Sequence, residues 1–116
     1  MPKKKSPSRT KTYIKARKKF LEHVRSHSTL IVAYPRWYAG MTNKTNARRT
    51  SHNSKMPNGT PYWLKIYCGS RAIADKLETS LHELGFLETD IKGGIDDNSK
   101  YVYIFKQYPT ILDTDR

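Results

Sequence analysis

An α+β domain built on a small, mainly antiparallel sheet with helices packed on it is the fold class this sequence predicts, and three observations predict it. The chain has 116 residues, one domain's worth of chain. Three helical segments and several short aromatic, β-branched runs alternate along it rather than segregating into blocks. The order reads helix, hairpin, helix, strand, helix, strand. An apolar fraction of 36% is low, but 11% aromatics supply material for one compact core.

Met1–Lys11 carries five basic residues with almost nothing apolar, and reads as a disordered basic arm. From Thr12 to about Arg25, Tyr13, Ala16, Phe20, Leu21 and Val24 fall near helical spacing between Lys and Arg residues, which predicts a short amphipathic helix with a basic face. Thr29–Tyr34 and Arg36–Ala39 are strand-like on either side of Pro35, so a tight hairpin is expected, its second strand ending at Gly40. Thr42 or Asn43 then offers an N-cap for a short, polar, basic helix. Ser54–Pro61 contains Pro57, Asn58-Gly59 and Pro61 and reads as a loop, followed by the strand Tyr62–Cys68. Ser70 caps a helix whose Ile73, Ala74, Leu77, Leu81 and Leu84 keep an i, i+3, i+4 pattern up to Gly85. Gly93-Gly94 and Asp96–Ser99 are turn-forming, Tyr101–Phe105 is a last strand, and residues 109–116 form a peripheral tail. The single domain thus covers residues 12–108.

Charge narrows the function. The formal net charge is +12 with 22 Lys plus Arg, which points to a polyanionic partner. From His23 through Ala74 no carboxylate occurs, so an anion-binding surface belongs to the N-terminal two-thirds. A single cysteine, Cys68, builds neither a disulfide framework nor a zinc site and reads as a small buried hydrophobe. No apolar run is long enough to span a membrane, and no apolar segment follows the Lys-rich start as in a signal peptide, so an intracellular setting is expected.

One segment carries chemistry. In WYAGMTNKTNARRTSHN, Tyr38-Ala39-Gly40 ends a strand, Thr42 and Asn43 make a polar turn, Arg48 follows the glycine by eight positions and His52 follows Arg48 by four. Arg48 and His52 therefore project from one helix face. This pattern resembles the second motif of the GIY-YIG nuclease superfamily over about residues 28–84. The family's metal-binding glutamate finds its counterpart in Glu78, within Ala74-Asp75-Lys76-Leu77-Glu78. The family's first motif brings another tyrosine about ten residues before the second, and here His27 or Tyr34 is the available substitute.

The resemblance implies a GIY-YIG-like fold and a metal-dependent DNA endonuclease of weak sequence specificity, of the kind found in phage and mobile elements. Phosphodiester hydrolysis needs a cation on the phosphoryl oxygens, a donor for the equatorial charge and a base for water. Glu78 alone suits Mg²⁺, which keeps several waters and takes one or two carboxylates. Arg48 offers a planar, always-charged fork for a phosphate oxygen. Tyr38 and His52 are the candidates for positioning or deprotonating water. Lys3, Lys4, Lys5, Arg9, Lys11, Lys15, Lys18, Lys19, Lys44, Arg49 and Lys55 would grip the backbone of nucleic acid, with DNA favoured over RNA. The alternative is a non-catalytic nucleic-acid-binding protein, either a degenerate nuclease fold or a small RNA-binding, ribosome-associated one, whose aromatics stack on unpaired bases.

Overall fold

The structure, a computed structural model, describes residues 9–28, 32–55, 60–88 and 99–106. Helix α1 spans Lys11–Ser26, β1 Trp37–Thr42, α2 Thr45–Lys55, β2 Leu64–Tyr67, α3 Arg71–Leu84 and β3 Tyr101–Lys106, with a 3₁₀ turn at Tyr34–Arg36. The fold is α+β: three helices and one three-stranded antiparallel sheet in the order β1-β3-β2.

The helices begin and end where side chains satisfy their backbone. Thr10 Oγ1 accepts the Tyr13 N–H at 3.1 Å, and this cap starts α1 at Lys11, one residue inside the expected basic arm; residues 1–8 lie outside the described residues. Ser70 Oγ accepts the Ile73 N–H at 3.2 Å at the head of α3. Its end is Gly85, in the left-handed region at φ 117°, where the Gly85 and Phe86 N–H groups return to the His82 and Leu81 carbonyls. α2 runs through Ser54 and Lys55, two residues into the expected loop, of which residues 56–59 are not described.

The expected hairpin is not the pairing that forms. β1 pairs antiparallel with β3, Trp37 opposite Lys106 through Thr42 opposite Tyr101. Residues 29–31 lie outside the described residues, Val32 and Ala33 join no described strand, and Tyr34-Pro35-Arg36 coils into the 3₁₀ turn. Pro35 fits the first turn of a 3₁₀ segment, where its missing N–H costs nothing. The outer edge of β1 meets the segment after α3: Leu87 donates to the Trp37 carbonyl at 2.8 Å, and Ala39 donates to that of Leu87 at 3.1 Å.

Gly40 does not end the strand either, which continues to Thr42. It sits opposite Tyr103, and a Cβ there would collide with the Tyr103 ring and hydroxyl. Glycine is needed for this close approach rather than for a turn.

Alternation along the strands sorts the sheet into two unlike faces. Trp37, Ala39, Met41, Leu64, Ile66, Val102 and Ile104 point to one, where Phe20 and Val24 of α1 and Ala74, Leu77 and Leu81 of α3 complete the core. Tyr38, Gly40, Thr42, Lys65, Tyr67, Tyr101, Tyr103 and Phe105 point to the other, onto which α2 packs through His52, whose ring centroid lies 5.4 Å from that of Tyr103 and 4.9 Å from that of Phe105. Cys68 is fully buried at the end of β2, and burial pushes its thiol up to about 11, so it remains an inert thiol at neutral pH.

Candidate functional site

The α2 face of the sheet is a row of aromatic rings standing side by side. Tyr38 stacks on Phe105 at 5.1 Å and 16°, and Trp63 stacks on Tyr103 at 4.7 Å and 16°. Tyr103 and Phe105, two residues apart on the central strand, are parallel to within 6°. Such offset stacking across strands fixes ring orientation better than an aliphatic layer does.

α2 lays polar groups over this row. Thr42 Oγ1 accepts the Lys44 N–H at 3.0 Å in the turn before the helix, and the first helical bond runs from the Arg48 N–H to the Lys44 carbonyl at 2.9 Å. Thr42 thus shapes the turn before α2 without capping the helix, which starts at Thr45, past both expected cap residues, Thr42 and Asn43. Arg48 and His52 are both buried, at 7% and 0% exposure. His52 Nε2 and the Tyr103 hydroxyl share a hydrogen bond of 2.7 Å. Arg49, next around the helix, lies 5.6 Å over the Trp63 ring and donates from Nε to Thr60 Oγ1 at 3.1 Å; Thr60 in turn donates to Asn53 Oδ1.

Tyr38, Arg48 and His52 therefore belong to one layer, together with Tyr103, which sequence reasoning missed. Tyr101-Val102-Tyr103 was legible as a strand, but only the sheet order brings its tyrosine beside Gly40. The two substitutes considered for a first-motif tyrosine lie elsewhere. Tyr34 stacks on Phe86 at 5.2 Å, and His27 stacks on Tyr62 at 4.2 Å while its carbonyl accepts from Lys106 Nζ at 2.7 Å.

Glu78 sits on α3, on the opposite side of the sheet. Burial pushes its carboxyl above the usual carboxylate range; His82 and Arg71 oppose that rise, and Asp75 and Glu88 add to it. His82, one turn further along α3, donates from Nε2 to the Ala39 carbonyl at 2.9 Å, and its Nδ1 lies 3.7 Å from Glu88 Oε1. Glu78 is thus on the side of α3 turned to the outer edge of β1, and Arg48 is not among the charges that shift it. Among the described residues no three His, Cys, Asp or Glu side chains gather as a metal site. Glu78 is thus a single half-buried carboxylate whose charge is disfavoured by burial and by two acidic neighbours.

The basic residues divide between the two layers. Arg9, Lys11, Lys15, Lys18 and Lys19 are exposed on or just before α1, and Lys18 Nζ lies 3.9 Å from Glu22 Oε1. Lys44 and Arg49 are exposed at α2 on the other side of the sheet. Lys55 ends α2, and Lys3, Lys4 and Lys5 lie outside the described residues.

Compared with known proteins, the chain matches no family model, no curated sequence and no solved structure. No helix among the described residues is long and apolar enough to cross a membrane.

Proposed function

We propose that this chain is a metal-dependent endonuclease of the GIY-YIG type, hydrolysing DNA phosphodiester bonds with weak sequence specificity. One observation carries the reading: the Tyr103 hydroxyl, 2.7 Å from His52 Nε2, stands on the strand paired with the Tyr38-x-Gly40 strand. In this reading Tyr103 takes the part of the first-motif tyrosine, supplied from the last strand of the chain instead of from one before Tyr38.

In this reading Arg48 binds a non-bridging phosphate oxygen through its planar fork. The Tyr103–His52 pair moves the proton of the attacking water, with the imidazole taking up what the phenol relays, and Tyr38 orients that water. Glu78 is the carboxylate the resemblance offers a divalent cation, which when bound would polarise phosphoryl oxygens; lying across the sheet, it would not act on the phosphate that Arg48 holds. Lys44, Arg49 and the α1 lysines hold the backbone without reading bases.

A second reading, non-catalytic nucleic-acid binding, is favoured by two observations. Arg48, His52 and Tyr103 are all nearly inaccessible, and Glu78 lies across the sheet from them. Incubation with supercoiled plasmid and Mg²⁺ separates the two. The nuclease reading expects nicking by the wild type that Arg48→Ala and Tyr103→Phe each reduce by about a hundred-fold or more. A wild-type protein that shifts plasmid mobility yet cuts nothing leaves only the binding reading.

A further inference from the structure

α2 covers the aromatic face only in part. It reaches as far as Lys65, whose Nζ donates to Thr45 Oγ1 at 3.2 Å at the start of the helix. Beyond it, the last row of the sheet is Thr42, Tyr101 and Tyr67, the three aligned by the strand register. Tyr101 and Tyr67 meet at 5.2 Å with rings tilted by 56°, and Tyr67 remains 56% exposed, level with the most exposed large apolar side chain of the described residues. A tyrosine on an edge strand, resting on one ring and open on its other side, is a ready stacking surface.

Its surroundings are cationic, and no carboxylate of the described residues lies in this layer. Lys65, two residues from it on the same face, is exposed, Lys44 is exposed two residues past Thr42 at the far end of the row, and Lys100 precedes Tyr101. The segments that build this face, β1, α2, β2 and β3, contain no aspartate or glutamate. Carboxylates of the described residues are confined to α1, α3 and Glu88, in the other layer. Among the described residues, the charged groups of this layer near Tyr67 are lysines.

We infer that Tyr67 is a platform on which an unpaired base of single-stranded nucleic acid stacks, with Lys65 and Lys44 neutralising the flanking phosphates. Two strand residues, about 7 Å, separate the Tyr101 row from the Tyr103 row. The Tyr103–His52 layer beyond it is closed under α2, so Tyr67 itself is the open ring, and only a base free of its pairing partner can lie on it, which makes strands with unpaired bases, rather than uninterrupted duplex, the ligand of this face. The inference concerns binding and does not depend on cleavage.

Fluorescence anisotropy with a labelled dT12 oligonucleotide in EDTA, against a blunt duplex of the same length, tests it. Tyr67→Ala is expected to weaken dT12 binding roughly ten-fold, as loss of one stacked base does, and to leave duplex binding unchanged. Tyr67→Phe keeps the ring and should bind dT12 as the wild type does. Lys65→Ala should lower the slope of log affinity against log salt for dT12 by about 0.7, the value for one phosphate on a single strand. An unaltered dT12 affinity in Tyr67→Ala, or an equal loss for dT12 and duplex, overturns the inference. Because no divalent ion is present, a protein that never cuts DNA can still pass this test, and an active nuclease can still fail it.

Discussion

The two faces of one sheet are made of different material. The face under α1 and α3 is aliphatic with one tryptophan and is closed by interdigitating leucine, valine and phenylalanine. The face under α2 is aromatic and polar: four nearly parallel rings, a buried histidine, a buried arginine and a hydroxyl bonded to an imidazole. The central strand serves both, Val102 and Ile104 facing one way and Tyr103 and Phe105 the other. Hydrophobic burial on the first face is insensitive to orientation, whereas stacked rings and a shared hydrogen bond hold specific atoms in place. The first face is suited to stability and the second to positioning, and substitutions can break that division.

The largest effect belongs to the aliphatic face. Leu77 and Leu81 are fully buried between α3 and the sheet. Leu77→Ala should destabilise the fold by about 2–5 kcal/mol, read as a lowered urea midpoint with nucleic-acid affinity per folded molecule unchanged. A loss of affinity in the protein that remains folded would mean that the faces are not separable.

Gly40 is the sharpest joint between strand pairing and the aromatic layer. Gly40→Ala drives a methyl group into the Tyr103 ring and should cost about 1–3 kcal/mol by overpacking. Unlike Leu77→Ala, it should also abolish any nicking activity, because Tyr103 must move. Equal activity after correction for folded fraction would detach Tyr103 from the site.

These two residues also mark what sequence could and could not reveal. α3 was legible from end to end, since its spacing, its Ser70 cap and its Gly85 stop are all local signals. α1 and the last strand were nearly as plain. The partner of β1 was not, because pairing is non-local: TLIVAY lies next to it in sequence, and nothing local says that YVYIF, more than sixty residues on, takes the place instead. That one misreading hid Tyr103 and made Gly40 look like a strand end. Tyr38, Arg48 and His52 were legible because a strand–turn–helix fixes their relation at short range, whereas the side of the sheet taken by Glu78 depended on how α3 packs.

Tyr103→Phe refines the comparison with a smaller stability change. It removes the hydroxyl that bonds His52 Nε2 while leaving both stacking contacts, and should cost about 1 kcal/mol. A nuclease that uses the phenol loses activity far beyond that figure. A protein that only binds loses neither dT12 nor duplex affinity.

The mildest test concerns two titratable groups that border the aliphatic layer and push stability in opposite directions. Burial, with His23 and Lys106 close by, holds His27 below the ordinary histidine value of 6.5. Its contribution is therefore complete above pH 6.5 and is lost as pH falls towards the depressed folded value, because the unfolded chain takes up the proton first. Glu78 is raised above 4.5, so the folded state takes up its proton first: stability from this group is gained as pH falls through the raised value and is lost again as pH rises. Urea midpoints at pH 7.5 and pH 5.5 should then separate the pair. His27→Gln flattens the loss on acidification, while Glu78→Gln stabilises the protein at pH 7.5 and removes the acid-side gain. If Glu78→Gln leaves the pH 7.5 midpoint unchanged, the carboxylate carries no cost of burial in the fold. In that case nothing but the motif distinguishes it from a solvated glutamate.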